Sequence, residues 1–316
     1  MEVYRELNII IIGKPDFAGK IAKRVPSSTF IEVEEKIFPD GEICPRILLS
    51  SENQLTGNHV VVVMQLGLNQ PKNQYLISLL WTIYNVKQYN PAKISCFMPY
   101  HLYSRQDRES QKGESVSIKY LASALESAGI NNFVTINSHI YGKADINNFF
   151  LNSNAVDFSA ISLLGNVLKS YKLSVNDIIC FSPDEGALLL AKEAAKAIGS
   201  PFYGAIKKKR DPKTGEVIQD LVGIKIEIKN RSVLIIDDLV SSGGTMIGAA
   251  QILKEKGARD VFFAYIHAVH SPENFKKLLD VNPSLILSTD TIKTDINGLT
   301  TISVIPILSN WILENS

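Results

Sequence analysis

The chain has 316 residues, length for about two domains, and its 45% hydrophobic and 21% charged content is ordinary for a globular protein. A formal net charge of +1 leaves no overall field to draw it to nucleic acid or an anionic membrane, so any anion must be bound by local clusters. No apolar run approaches the length that spans a bilayer, and Cys44, Cys96 and Cys180, odd in number and far apart, favour a reduced, cytoplasmic setting over a disulfide or metal framework.

The first apolar run, Leu7 to Ile12, reads as a strand rather than a signal peptide, and Gly13 closes it. The GKPDFAGK that follows does not complete a phosphate-loop pattern: five residues, not four, separate Gly13 from Gly19, and Ile21 stands where Ser or Thr is needed. No GxGxxG is present, so a nucleotide must be held by something else. Phe38-Pro39-Asp40-Gly41-Glu42, with Arg46 beyond it, carries the Pro-Asp-Gly signature of a hairpin turn.

His59 to Met64 reads as a strand, and Gln74 to Tyr89 as a helix with Leu76, Leu79, Leu80, Ile83 and Val86 inward. Ile94 to Met98 is the next strand. This alternation predicts a parallel sheet with crossover helices, whose ligands sit at the carboxyl ends of strands. At such an end lies Pro99-Tyr100-His101-Leu102-Tyr103-Ser104-Arg105-Gln106-Asp107-Arg108. Arginine forks suit phosphate oxygens and flat rings suit a purine. Ser117 to Ala128 reads as a helix stopped by Gly129, and Phe133 to Ile136 as a strand ending in Asn137-Ser138-His139.

Asn152 to Asp157 is polar and reads as an irregular junction, dividing the chain into domains 1–154 and 155–316. A helix from Ile161 to Leu168 and a strand from Ile178 to Phe181 follow; the strand ends in Ser182-Pro183-Asp184-Glu185-Gly186 before a helix from Ala187 to Ile198. Asp184 can cap that helix or face a ligand. After a strand from Phe202 to Ile206, Lys207 to Glu216 reads as a polar loop. It has no large apolar side chain to anchor it, and is expected to move and to close over an anion.

The segment Val233 to Thr245 holds the most chemistry. Four apolar residues, Val233 to Ile236, lead into Asp237 and Asp238, then Ser241, Ser242, Gly243, Gly244 and Thr245. Met246, Ala249, Ala250 and Leu253 then recur at helical spacing, with Gly257 as the stop. Open N–H groups and the dipole at such a helix start suit phosphate, and the paired carboxylates suit ribose hydroxyls or phosphate-bound Mg²⁺. Val261 to Val269 reads as a strand whose His267, like His270, has a structural role, and Ile302 to Ile305 with Ile307 to Leu313 are expected to close the sheet.

The Val233 to Thr245 segment resembles the PRPP-binding motif shared by phosphoribosyltransferases and ribose-phosphate pyrophosphokinases, the PRPP synthetases. The RQDR segment resembles the synthetases' ATP-binding PYxxYxRQDR motif, which transferases as a class lack, and Phe38 to Glu42 resembles their FxDGE segment. Ser182 to Ala187 is similar to their SPDxGG, with Ala187 for the last glycine; Asn137-Ser138 replaces the Asp-Leu that precedes the histidine in many members.

The resemblance covers nearly the whole chain. It implies an α/β fold of two tandem phosphoribosyltransferase-like domains, each a mainly parallel sheet flanked by helices. It also implies a cytoplasmic homo-oligomer (dimer or hexamer) that makes PRPP and AMP from ATP and ribose 5-phosphate with Mg²⁺. By that resemblance Lys208 and Arg210 are catalytic, and Phe38, Asp40, Gly41, Glu42, Arg105, Gln106 and Asp107 bind ATP. Asp237, Asp238, Ser241, Ser242, Gly243, Gly244 and Thr245 bind ribose 5-phosphate, and His139 and Asp184 serve the metal. The rival readings are a phosphoribosyltransferase, which would use PRPP, and a non-catalytic regulatory paralogue, which should have lost the KxR pair or its acids.

Overall fold

A computed structural model describes residues 7–171, 174–210, 217–222 and 227–315, the side chains of 208–210 and 217–220 excepted. It forms two compact units, one of Met1–Phe158 with Val304–Ser316 and the other of Ser159–Ser303.

In the first unit, strands β1 (Ile9–Gly13), β2 (Thr29–Ile37), β3 (Ile43–Ile47), β4 (His59–Val63), β5 (Lys93–Phe97), β6 (Asn132–Ile136) and β7 (Asn154–Phe158) form one sheet in the order β3-β2-β1-β4-β5-β6-β7. All pairings are parallel except β2 with β3, the expected hairpin. The central strands are buried along their whole length, as apolar runs in a sheet covered on both faces must be. Helices α1 (Ala18–Ala22), α2 (Lys72–Lys87) and α3 (Ser117–Ala128) are the crossovers, and α3 ends at Gly129 in the left-handed conformation, φ +109°.

The second unit repeats this plan. After α4 (Ile161–Ser170), strands β8 (Ile178–Ser182), β9 (Tyr203–Arg210), β10 (Val217–Val222), β11 (Ser232–Val240), β12 (Asp260–Ala268), β13 (Leu285–Thr289) and β14 (Thr300–Ile302) run in the order β10-β9-β8-β11-β12-β13-β14. Again the parallel sheet carries one antiparallel hairpin strand at its edge. Helices α5 (Leu188–Ile198), α6 (Gly244–Glu255) and α7 (Pro272–Leu279) follow β8, β11 and β12. Each sheet thus has its switch point between its first and fourth strands, where a crevice opens at the carboxyl ends.

Four local expectations are corrected. Residues Asn154–Phe158 are not an irregular junction but the edge strand β7, so the division falls after Phe158 rather than at 154/155. Lys207 to Arg210 continue strand β9 instead of opening a loop, because the Val217–Val222 segment satisfies their backbone groups in an antiparallel ladder. The lid expected there rests on residues 211–216, which lie outside the described residues. The segment after Ser303 is helix α8 (Ile305–Asn315), with Ile305, Leu308 and Ile312 inward at helical spacing and Pro306 in its first turn. It belongs to the first unit, where Trp311 meets Phe97 edge-on at 5.3 Å and Lys93 Nζ donates to the Asn315 carbonyl at 2.8 Å.

Gly13 marks how tightly the first switch point is built. A Cβ there would stand 2.2 Å from the Val63 carbonyl oxygen and 2.7 Å from Ala18 Cβ. Both belong to packed main chain or its first side-chain atom, which cannot swing aside. Gly13→Ala is expected to destabilise the fold by about 3 kcal/mol or more. An unchanged denaturant midpoint would show that the strands separate more freely than their packing implies.

Candidate active site

In the second unit, β11 runs four residues beyond the apolar stretch, carrying Asp237 and Asp238 in the strand itself, with Asp237 beside Tyr265 of β12. The Asp238 N–H donates to Asp237 Oδ1 at 2.9 Å and the Leu239 N–H to Asp238 Oδ1 at 2.8 Å, which fixes both carboxylates. Burial first, then Asp238 and Asp184, hold the Asp237 carboxyl well above the usual carboxylate range. Asp184 stands at the end of β8, the strand beside β11, and makes no capping hydrogen bond to the helical turn that follows. The purely capping role is therefore not the one it plays.

The turn after β11 is shaped for a close ligand. Gly243 has φ +80° and a Cβ there would lie 3.2 Å from Leu278 Cδ2, so a side chain is disfavoured by both backbone and space. No side chain caps α6, which leaves the N–H groups of its first turn directed into the loop. Asn274 Nδ2 donates to the Ser241 carbonyl at 3.2 Å and pins the loop from α7. Ser241, Ser242, Gly244 and Thr245 are exposed. At the next strand end, Lys207 pairs with Glu185 at 2.7 Å. Lys208 and Arg210 occupy the alternate positions of β9, opposite Gln219 and Val217, and their side chains lie outside the described residues.

In the first unit, the Phe38 to Glu42 turn is closed by the Phe38 N–H to the Glu42 carbonyl at 2.8 Å and the Gly41 N–H to the Phe38 carbonyl at 2.9 Å. Asp40 Oδ1 accepts the Glu42 N–H at 3.1 Å, and Gly41 takes φ +92°. The hairpin holds Phe38 in solvent with Lys36 Nζ 4.4 Å from its ring centre. An exposed aromatic at a rigid tip is suited to stacking.

The segment after β5 divides by side chain. His101 turns into the core, its ring 4.9 Å from Phe133, and so is not a ligand-facing ring. Tyr103 is exposed, with φ +61° and its hydroxyl on Asn73 Oδ1. Gln106 folds back on its own loop, donating to the Arg108 carbonyl at 3.0 Å and Glu114 Oε2 at 3.3 Å, while Arg105 stays exposed. Ser104 joins this segment to the turn after β6: its Oγ accepts the His139 N–H at 3.2 Å and donates to the His101 carbonyl at 3.0 Å.

Two contacts escaped the sequence reading. Asp157 of β7 accepts hydrogen bonds from Ser138, beside His139, and burial pushes its carboxyl up to about 6 against the pull of those bonds. Ser104 is the other; a serine in a motif of rings and charges gives little reason to look at it. His267 and His270 are structural as expected, with His267 Nδ1 2.8 Å from Thr291 Oγ1 and His270 Nε2 2.7 Å from the Tyr265 hydroxyl.

The curated ribose-phosphate pyrophosphokinase of Sulfurisphaera tokodaii is 31% identical to this chain over 307 residues, 96% of this chain and all of the relative. The chain belongs to the ribose-phosphate pyrophosphokinase family. Residues 9–129 match the family model of the N-terminal domain of ribose phosphate pyrophosphokinase, and residues 151–294 that of the phosphoribosyl transferase domain. The ribose-phosphate pyrophosphokinase of Methanothermobacter thermautotrophicus is 30% identical over 88% of this chain and 90% of its own. A crystal structure of phosphoribosylpyrophosphate synthetase from Mycobacterium smegmatis superposes with a TM-score of 0.84 at 26% identity, over 98% of this chain and all of that one. The pyrophosphokinase family's two-domain α/β fold, mainly parallel sheets flanked by helices, is the fold found here.

Among the described residues no group of three or more His, Cys, Asp or Glu side chains forms a ready-made metal cage. The donor chemistry nonetheless fits Mg²⁺, which is commonly held by one or two carboxylates together with substrate phosphates. Burial, with repulsion from Asp238 and Asp184 added to it, holds the Asp237 carboxyl above its ordinary range, and a cation nearby would favour its ionised form.

Proposed function

We propose that the chain transfers the pyrophosphoryl group of ATP to ribose 5-phosphate, giving PRPP and AMP. The observation that carries this reading is the uncapped first turn of α6 beside Asp237 and Asp238, in a chain matched along nearly its full length by ribose-phosphate pyrophosphokinases. The α6 turn takes the 5-phosphate through main-chain N–H groups of Ser241 to Thr245, and Asp237 with Asp238 takes the ribose hydroxyls. Phe38, Asp40, Gly41, Glu42, Arg105, Gln106 and Asp107 take ATP: the ring stacks on the base and the arginine forks the phosphates.

The 1-hydroxyl oxygen of the ribose attacks the β-phosphorus and gives up its proton to water, the bond from that phosphorus to the AMP oxygen breaks, and AMP leaves. Charge accumulates on the phosphoryl oxygens, so the cations of Lys208 and Arg210 do most of the catalysis. Mg²⁺, when bound, supplies further positive charge on those oxygens; His139 and Asp184 are the side chains offered to it. Free Cys96 and Cys180 are buried, which suits a cytoplasmic setting, and no helix among the described residues is long and apolar enough to cross a membrane. A homo-oligomer is part of this reading, with the exposed Phe38 tip reaching a neighbouring copy.

The test is a product assay. Purified protein with Mg-ATP and ribose 5-phosphate should release AMP and PRPP one for one, and light scattering on the same sample should give at least twice 35.0 kDa. ADP in place of AMP would end the pyrophosphoryl-transfer reading. ATP binding without turnover would favour a regulatory paralogue, and consumption of added PRPP with a nucleobase would favour a phosphoribosyltransferase.

A further inference from the structure

The turn that carries His139 is tied on two sides. On one side is the Ser104 hydroxyl described above. On the other, Ser138 donates twice to one carboxylate: its N–H lies 3.1 Å from both Oδ1 and Oδ2 of Asp157, and its hydroxyl 2.6 Å from Oδ2. Asp157 is itself fixed in the sheet, level with Thr135 in the parallel register of β6 and β7. The Asn137 N–H meets the Phe158 carbonyl at 2.8 Å, and Lys143 Nζ donates to the His139 carbonyl at 3.0 Å.

Asn137 has φ +36°, a conformation that a non-glycine residue keeps only when its surroundings hold it. The chain therefore leaves β6 through a strained residue, and the next residue is gripped at both its backbone and side-chain donors. That grip sets where His139, one residue on, begins.

We propose that Asp157 is a positioning residue for His139, holding the turn after β6 so that the imidazole meets the cation carried by the ATP phosphates. This rests on the functional reading given above for His139. What the role requires is acceptor geometry. An asparagine at 157 can supply it, with Oδ1 taking the Ser138 N–H and Nδ2 donating to the Ser138 hydroxyl, whereas an alanine cannot.

The test uses full-length protein with ¹³Cε1-labelled histidine, the His139 signal being the one of five lost in His139→Gln. With Mn-ATP as probe, the His139 signal of the unchanged protein should broaden. Asp157→Ala should lose most of that broadening and raise the Mg²⁺ concentration for half-maximal activity about 10- to 100-fold, leaving KM for ribose 5-phosphate unchanged. Asp157→Asn should restore both. If Asp157→Ala does not fold, Ser138→Ala, which removes only the hydroxyl, should move both readouts in the same direction by less.

A folded Asp157→Ala (or, in its place, Ser138→Ala) with unchanged broadening and Mg²⁺ requirement would overturn the inference alone. Asp157→Asn as impaired as Asp157→Ala would overturn it too, by making charge the requirement. Absence of broadening in the unchanged protein would remove the metal role of His139 and this inference with it.

Discussion

Lys208→Ala is expected to lower kcat by about 10²–10³, the usual cost of losing one donor aimed at charge that develops in the transition state. The motive is chemical: phosphoryl transfer leaves little for a protein to do except position groups and place positive charge. The structure sharpens which lysine to remove. Lys207 is engaged with Glu185 in a half-exposed pair, and such pairs contribute about 1 kcal/mol or less, so Lys207→Ala should change kcat little. Lys209 shares the alternate strand positions with Lys207, whereas Lys208 shares them with Arg210. Rapid-quench measurement of AMP release on the three alanine variants, with circular dichroism as the folding control, decides the matter. A crippled Lys209→Ala with a healthy Lys208→Ala would put the catalytic pair on the wrong positions; three healthy variants would leave the lysines as surface charge.

Asp237→Asn should weaken ribose 5-phosphate binding by roughly 10- to 100-fold, the 1.5–3 kcal/mol of a hydrogen bond to a charged acceptor, with ATP affinity little changed. The same change should make the ligand-free protein more stable at neutral pH. Asp237 has a folded-state pKa above its unfolded value of 3.8, so the fold favours the protonated acid. Its contribution is present below that unfolded value and is lost as pH rises through the elevated folded value. The unchanged protein should therefore lose stability over that window more steeply than Asp237→Asn does. Titration calorimetry and melting between pH 4 and 8 give the two readouts. Unchanged ribose 5-phosphate affinity would remove Asp237 from the sugar site, and parallel melting curves would show that its carboxyl is not strained. A buried carboxyl that costs stability is best explained by its work on a ligand.

Much of this was legible because the site is built from consecutive residues. Asp237 to Thr245, Phe38 to Glu42 and the RQDR segment each carry their meaning in local order, and strands such as Val60 to Val63, buried on both faces, appear as unbroken apolar runs. What was not legible depends on neighbours. Strand β7 pairs on one side only, so its exposed Asn154 and half-covered Asp157 look like linker residues. The Ser138 to Asp157 and Ser104 to His139 bonds join residues 19 and 35 positions apart, brought together by sheet order and loop path. The run from Ile302 to Leu313 is short, apolar and rich in isoleucine, which fits a strand or a buried helix equally; Pro306, in the first turn, marks the helix start.

The return of α8 to the first unit has a consequence for how the chain is made. Because Trp311 packs on Phe97 and α8, with Leu308 and Ile312 buried, belongs to the first unit, the second unit is topologically an insertion within the first. A ribosome therefore finishes the second unit before the first has its last helix. The early half must wait with an apolar face uncovered while some 145 residues are translated, ~7–30 s at 5–20 residues per second. The nascent N-terminal half is then the state that chaperones would meet.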